Sequence, residues 1–321
     1  MRGRGFLCAS VTLAFFSSAG ICAQGRTVAI TVDDLPYAPA ATNVSEAAST
    51  AETVNGKLLA AFRAHHVPVI GFVIQQRVEA LGSVAGIWIL KEWLRQGFDL
   101  GNHTYSHLDI NDLSPDQIEQ EIVRGESTLG PLMKEAGKKL EFFRFPMNHT
   151  GDTKEKHDLI AGLLSKRGYQ LAACTIDNSD YLFSNAYVRM VAKDDHESAH
   201  KLRLEYLAYT SAEIDYYAAL NKQVFRYEPP QVMLLHVNRL NADVIEQVLA
   251  LFEKKQYKFV SLDAAQSDAA YRTPDTYVTK YGPMWGYRWA KERNVKVNGS
   301  LEPDPPKWIL EYEKASTKQT H

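Results

Sequence analysis

Short apolar runs rich in β-branched and aromatic residues alternate along this chain with longer segments in which apolar residues recur every three or four positions. The first pattern predicts buried strands, the second amphipathic helices, and their alternation predicts a parallel β/α architecture. Strands are expected over 27–32, 67–74, 98–101, 142–145, 170–176, 232–235 and 259–262. Helices are expected over 45–65, 84–96, 115–136, 153–166 and 242–255. The third helix has a clear start, because Ser114 can cap it, Pro115 suits the first turn and Gln117 completes a capping box. The fold class is therefore α/β, a distorted or incomplete (β/α) barrel of about seven parallel strands.

The alternation breaks between Asp180 and Pro229, where 187–222 reads as one or two amphipathic helices, an insertion of about 183–228 into the barrel. Within it, Asp194, Asp195, His196 and Glu197 have the composition of a metal cluster but the position of a solvated helix start, and no site is assigned to them. The core pattern runs from 27 to 264. Residues 265–321 form an aromatic-rich C-terminal appendage, and 24–321 is read as one domain.

Composition narrows the function. A net charge of −2 without long basic runs excludes the electrostatic footprint of a nucleic-acid binder, so a substrate-sized ligand is expected. Arg2 and Arg4 precede an apolar stretch over 6–16 and then small residues up to Ala23, the pattern of a cleaved signal peptide over 1–23. That stretch falls short of the roughly 20 residues of a membrane span, so export to the periplasm or the medium is expected. Lipid attachment at Cys22 is a further route, although Ile21 is large for the preceding position. Of 3 cysteines, Cys8 and Cys22 lie in this leader, which leaves Cys174 alone and no internal disulfide. Cys174 sits in an apolar run and reads as a buried strand residue. The oligomeric state is not legible.

Three strings carry candidate chemistry: the acidic pair Asp33 and Asp34, the bracket His103 and His107, and the late His236. Each lies just beyond a predicted strand, so a parallel barrel would gather them at its C-terminal face. Taken singly they are weak. Paired acids cap helices, 10 histidines yield a four-residue spacing by chance, and a histidine after an apolar run is commonly a core residue. In a helical turn the four-residue spacing would aim both imidazoles at one ion. Together the strings supply ligands for one divalent cation, a carboxylate to deprotonate water and an imidazole to protonate a leaving group.

The order and spacing of these strings resemble the polysaccharide deacetylases that share a NodB homology domain, carbohydrate esterase family 4. The resemblance covers about 27–264. It implies that Asp33 is the catalytic base and that Asp34, His103 and His107 hold the metal. The string from Arg144 to Met147 resembles the third motif, in which the arginine pairs with the catalytic aspartate and the residue after proline offers its backbone N–H to the oxyanion. The string from Asp177 to Tyr181 resembles the fourth, which implies that Asp180 hydrogen-bonds the acidic histidine and Tyr181 forms a pocket wall, with Asp177 shaping the loop. His236 takes the fifth motif and the role of general acid. Departures from the family pattern fall at Val32, Leu35, Met147 and Tyr181. His149 has no counterpart and reads as a surface histidine.

The resemblance implies a metal-dependent hydrolase that removes N-acetyl groups from an amino-sugar polymer or oligosaccharide. One divalent ion is expected; zinc is the default, and cobalt or another first-row ion is compatible with nitrogen and oxygen ligands. O-acetyl esters, formamides and cyclic amides are alternative substrates, and a non-catalytic carbohydrate-binding domain is the alternative of another class. The appendage carries Tyr277, Tyr281, Trp285, Tyr287, Trp289 and Trp308, which could stack on sugars. Packing of these rings against barrel helices is the plainer expectation.

Overall fold

The computed structural model describes residues 25–37 and 44–317; the expected leader lies outside them. Seven strands form one parallel sheet: β1 Thr27–Leu35, β2 Ile70–Val73, β3 Asp99–Asn102, β4 Phe142–Phe143, β5 Gln170–Leu171, β6 Gln231–His236 and β7 Lys258–Phe259. The strand order is β5-β4-β3-β2-β1-β6, and β7 pairs with the start of β1. β1 is buried over most of its length, as a central parallel strand covered on both faces must be. The sheet curls until Ile176 bridges Met233 of β6, joining the two ends of the path.

Around the sheet lie α1 Val44–Ala64, α2 Gln75–Ala80, α3 Ser83–Arg95, α4 Pro115–Glu135, α5 Lys154–Arg167, α6 Asp180–Ala192, α7 His196–Phe225 and α8 Arg239–Lys254. The short α9 Leu262–Gln266 follows β7, and α10 Trp285–Glu292 and α11 Lys307–Thr317 lie in the appendage. The helix α4 begins with the expected capping box of Ser114 and Gln117. Between α1 and α3 the core is anchored by Trp93, whose indole N–H donates to the buried Asn55 at 2.9 Å, with Phe62 and Phe98 packed on its ring. An incomplete barrel with surrounding helices is thus the fold that the alternation predicted.

Several boundaries differ from the sequence reading. The segment 170–176 is not one strand: it pairs at Gln170 and Leu171, leaves the ladder, and returns only as the bridge at Ile176. Arg144 explains the gap, since its guanidinium donates to the carbonyls of Ala172 and Ala173, which a neighbouring strand would otherwise satisfy. Cys174 is accordingly buried in the gap rather than in a strand, where burial pushes its thiol up to about 12. Leu262 starts α9 instead of ending β7, because Ser261 caps the helix through the Ala264 N–H. The helix α2 is absent from the sequence reading, being too short to show a period. The insertion is two helices, and Asp195 caps the second through Ser198 N–H, which makes the Asp194 to Glu197 string a helix start. Among the described residues no helix is long and apolar enough to cross a membrane.

Candidate active site

Two consecutive side chains of a regular strand point to opposite faces, so Asp33 and Asp34 could not share a site on an undistorted β1. The strand solves this with a bulge: Val32 faces Gly71 and Leu35 faces Val73, three steps on β1 against two on β2. Asp34 takes a left-handed backbone with φ of 76°, which re-aims its carboxylate toward the same mouth as that of Asp33.

Asp33 is buried, and its Oδ1 accepts from Arg144 at 2.6 Å. The same guanidinium donates to Thr31 at 2.8 Å and lies over the Phe72 ring at 4.4 Å, so its position is set by the barrel interior. Asp34 Oδ2 pairs with Arg77 of α2 at 2.9 Å, and Arg77 also donates to the Asp34 carbonyl. Burial alone would raise the Asp34 carboxyl; Arg77 and the surrounding imidazoles outweigh it and hold the group well below the usual carboxylate range. Asp34 Oδ1 is buried without a hydrogen-bond partner. It lies 3.7 Å from His103 Nε2 and 3.4 Å from His107 Nε2.

The two histidines do not reach this point through a helical turn, as their spacing suggested. The loop after β3 is irregular, with left-handed backbone at Thr104 and His107, and it brings the rings to 5.1 Å at 71°. Polar contacts hold the loop. Asn102 accepts from Thr104 N–H at 2.9 Å and donates to the Ile122 carbonyl, while the buried Glu121 of α4 accepts from both the N–H and the hydroxyl of Ser106 at 2.8 Å. Gly125 permits the approach of α4, since a Cβ there would sit 2.3 Å from Asn102 Oδ1. His103 Nδ1 donates to the Arg144 carbonyl at 2.7 Å, which leaves Nε2 as the free lone pair. Burial lowers both imidazoles, His107 to about 4, so both are neutral near pH 7.

One carboxylate oxygen and two imidazole nitrogens, all within 4.8 Å of one another, form the group among the described residues that could hold a metal ion. An orphaned anionic oxygen beside two neutral nitrogen donors fits a divalent cation.

His236 ends β6 on the other side of β1. Its Nδ1 pairs with Asp180 Oδ1 at 2.6 Å and its backbone N–H donates to Asp180 Oδ2 at 2.7 Å. Asn238 and Asn241 donate to the same fully buried carboxylate. Burial works against the imidazolium of His236, but Asp180 prevails and pushes it up to about 10. Asp180 also begins α6, which places the half-exposed Tyr181 ring 6.3 Å from that of His236.

A cavity of about 390 Å³ unites these groups, lined by Asp33, Asp34, His103, His107, Met147 and Asn148 on one side and by Asp177, Tyr181, Leu234 and His236 on the other. Arg144 and Asp180 stand behind the lining as partners of Asp33 and His236. Asp177 accepts from the Ser179 N–H at 2.9 Å and so shapes its loop. His149 departs from its reading as a surface residue: it is largely buried, with Nδ1 2.7 Å from Asp109 and 3.0 Å from Asn111. Sequence reasoning missed Arg77, Asn102, Glu121 and Gly125, and it missed Gly282 and Met284, through which the appendage completes the cavity wall. Only Asn102 carried a signal, lying inside the string that contains His103.

Residues 20–172 match the family model of polysaccharide deacetylases, a span that contains Asp33, Asp34, His103, His107, Arg144 and Met147. A chitin deacetylase of Arthroderma benhamiae is 25% identical over 170 residues, which cover 53% of this chain but only 39% of that relative. Among solved structures, a carbohydrate esterase family 4 pseudoenzyme from Bacillus anthracis superposes with a TM-score of 0.50 at 13% identity, over 76% of this chain and 66% of that one. A polysaccharide deacetylase from Bacillus cereus gives a TM-score of 0.50 at 15% identity, over 74% and 91%. One fold thus serves a pseudoenzyme and a protein described as a deacetylase, so activity must be argued from side chains. Residues 20–172 thus carry the polysaccharide deacetylase domain, and the curled parallel sheet around it has the fold of carbohydrate esterase family 4 structures.

Proposed function

We propose that this chain is a metal-dependent hydrolase that removes N-acetyl groups from an amino-sugar polymer or oligosaccharide outside the cytoplasm. The observation that carries the reading is the orphaned Asp34 Oδ1 between two imidazole nitrogens, with a second buried carboxylate, Asp33, beside it. Asp34, His103 and His107 would hold the divalent ion, zinc by default, which when bound supplies Lewis acidity to the amide carbonyl and the attacking water.

The remaining roles fall to the chain's own residues. Asp33, fixed by Arg144, accepts the proton of the attacking water. The backbone N–H of Met147 donates to the oxyanion that develops on the carbonyl. His236 delivers a proton from Nε2 to the departing nitrogen, because Asp180 occupies Nδ1 and stabilises the charged ring. Tyr181 and Leu234 line the cavity on this side and suit the apolar end of an acyl group. A non-catalytic binding module has no need of both proton-handling pairs, which favours turnover.

Acetate release from N-acetylated oligosaccharides, acetylated xylan and small cyclic amides tests the substrate class. Release from the first is expected to dominate; hydrolysis confined to the cyclic amides would overturn the reading.

A further inference from the structure

Packing of the appendage's rings against barrel helices is the expectation; Trp289 is instead buried edge-on against Phe225 at the end of the inserted helix α7 and against Tyr271 of the appendage itself, each at 5.1 Å. The appendage also does something that packing does not require. Gly282 and Met284 line the cavity, and Gly282 lies so close to Met147 that a Cβ there would fall 1.8 Å from the Met147 carbonyl oxygen.

Met147 and Asn148 both have φ of 54°, a left-handed pair that non-glycine residues adopt only under outside constraint. Arg288 of α10 supplies that constraint. Only 1% exposed, it donates to the Asn148 carbonyl at 2.8 Å, to Thr150 Oγ1 at 2.7 Å, to Asp275 Oδ2 at 2.9 Å and to the Pro283 carbonyl at 3.1 Å. One guanidinium thus ties the turn at 147–150 to both flanks of the 275–283 segment. From the other side, Cys174 Sγ contacts Asn148 Oδ1 at 3.4 Å.

We infer that Arg288 is a positioning residue for the hydrolytic reaction, acting through the Met147–Asn148 turn, and that the appendage is therefore a working part of the site. The inference rests on the deacylase reading above and on Met147 as its oxyanion donor. A lysine at 288 keeps the positive charge beside Asp275, but a single ammonium cannot span the four acceptors that the planar fork reaches. The turn then loses its hold while the metal ligands, Asp33 and His236 stay in place.

Two variants test this: Arg288→Lys, and Gly282→Ala, which pushes on the same turn without touching Arg288. Each is measured for kcat and KM on an N-acetylated oligosaccharide, for metal stoichiometry and for melting temperature. The expected result is a fall in kcat of about tenfold or more, with KM within about twofold of wild type, as loss of a transition-state contact requires. Metal content is expected to be unchanged in both. Folded variants with wild-type kcat would overturn the inference alone. So would kcat, metal content and melting temperature falling together, which marks a merely structural role. A wild-type protein that releases no acyl group from any glycan would overturn both the inference and the reading it rests on.

Discussion

Asp33 of β1 and His236 of β6 are register partners, and the Val237 N–H donates to the Asp33 carbonyl at 3.0 Å, so the two residues are fixed at one level of the cavity mouth. Their side chains answer to different partners. Arg144 sits against the carboxylate and Asp180 against the imidazole, an arrangement that favours a proton acceptor on one strand and a proton donor on the next.

Removing the acceptor should therefore abolish turnover without emptying the site. Asp33→Asn keeps the shape and a contact to Arg144 but cannot take a proton. A loss of kcat on the order of 10²–10⁴ is expected, with metal stoichiometry retained. Acetate release and elemental analysis of the same preparation check this, and near-wild-type release would remove Asp33 from its role.

The donor side predicts a pH effect. Asp180 raises the His236 imidazole to about 10, above its ordinary value, so the charged form persists through neutral pH. The stability that this pair contributes is complete below the ordinary imidazole value and is lost as pH rises through about 10. Asp180→Asn removes the charge that favours protonation, so the alkaline limb of kcat should move to lower pH. A pH–rate profile with an unmoved alkaline limb would contradict the assignment.

Glu121 never touches the proposed metal ligands, yet it holds the loop that carries His103 and His107. Glu121→Ala leaves the Ser106 N–H without its acceptor, at a cost of about 1–3 kcal/mol. Affinity for zinc, read by competition with a chelator, should weaken about 10–100-fold, as loss of an outer partner of a metal site does. An unchanged affinity would mean that Asn102 and Gly125 fix the loop by themselves.

Arg144 combines two tasks, and its loss should show in both. Arg144→Met leaves Asp33 buried without its cation and strips the Ala172 and Ala173 carbonyls of a donor. Breaking a buried pair from one side costs about 3–5 kcal/mol, so the melting temperature and kcat should fall together. A variant as stable as wild type would show that the gap in the barrel wall closes without the guanidinium.

Much of this site was legible before the structure because its chemistry is concentrated at strand ends. Strands 27–32 and 232–235 were visible as apolar runs, and the charged residues that follow them fall at the C-terminal mouth of any parallel barrel. What the sequence hid depends on packing between distant elements. The bulge that turns both Asp33 and Asp34 to one mouth leaves no trace in residue type. Arg77 lies on a helix of six residues, too short for periodicity, and Glu121 and Gly125 share a face of α4 with ordinary core residues. Arg288 sat within an aromatic run, and only the fold brings it to Asn148, 140 positions away. The His103 and His107 pair is legible through the family resemblance rather than through its spacing: a helical turn would converge the two rings, whereas left-handed residues in a loop achieve the same convergence.

The most direct test of the account is acetate release from an N-acetylated amino-sugar oligosaccharide by protein stripped with a chelator and then titrated with zinc. The account predicts no release from the stripped protein and recovery that saturates at one zinc per chain, with both metal uptake and recovery lost in His103→Ala. Release that survives chelation, or a protein loaded with one zinc per chain that frees no acetate, would contradict it.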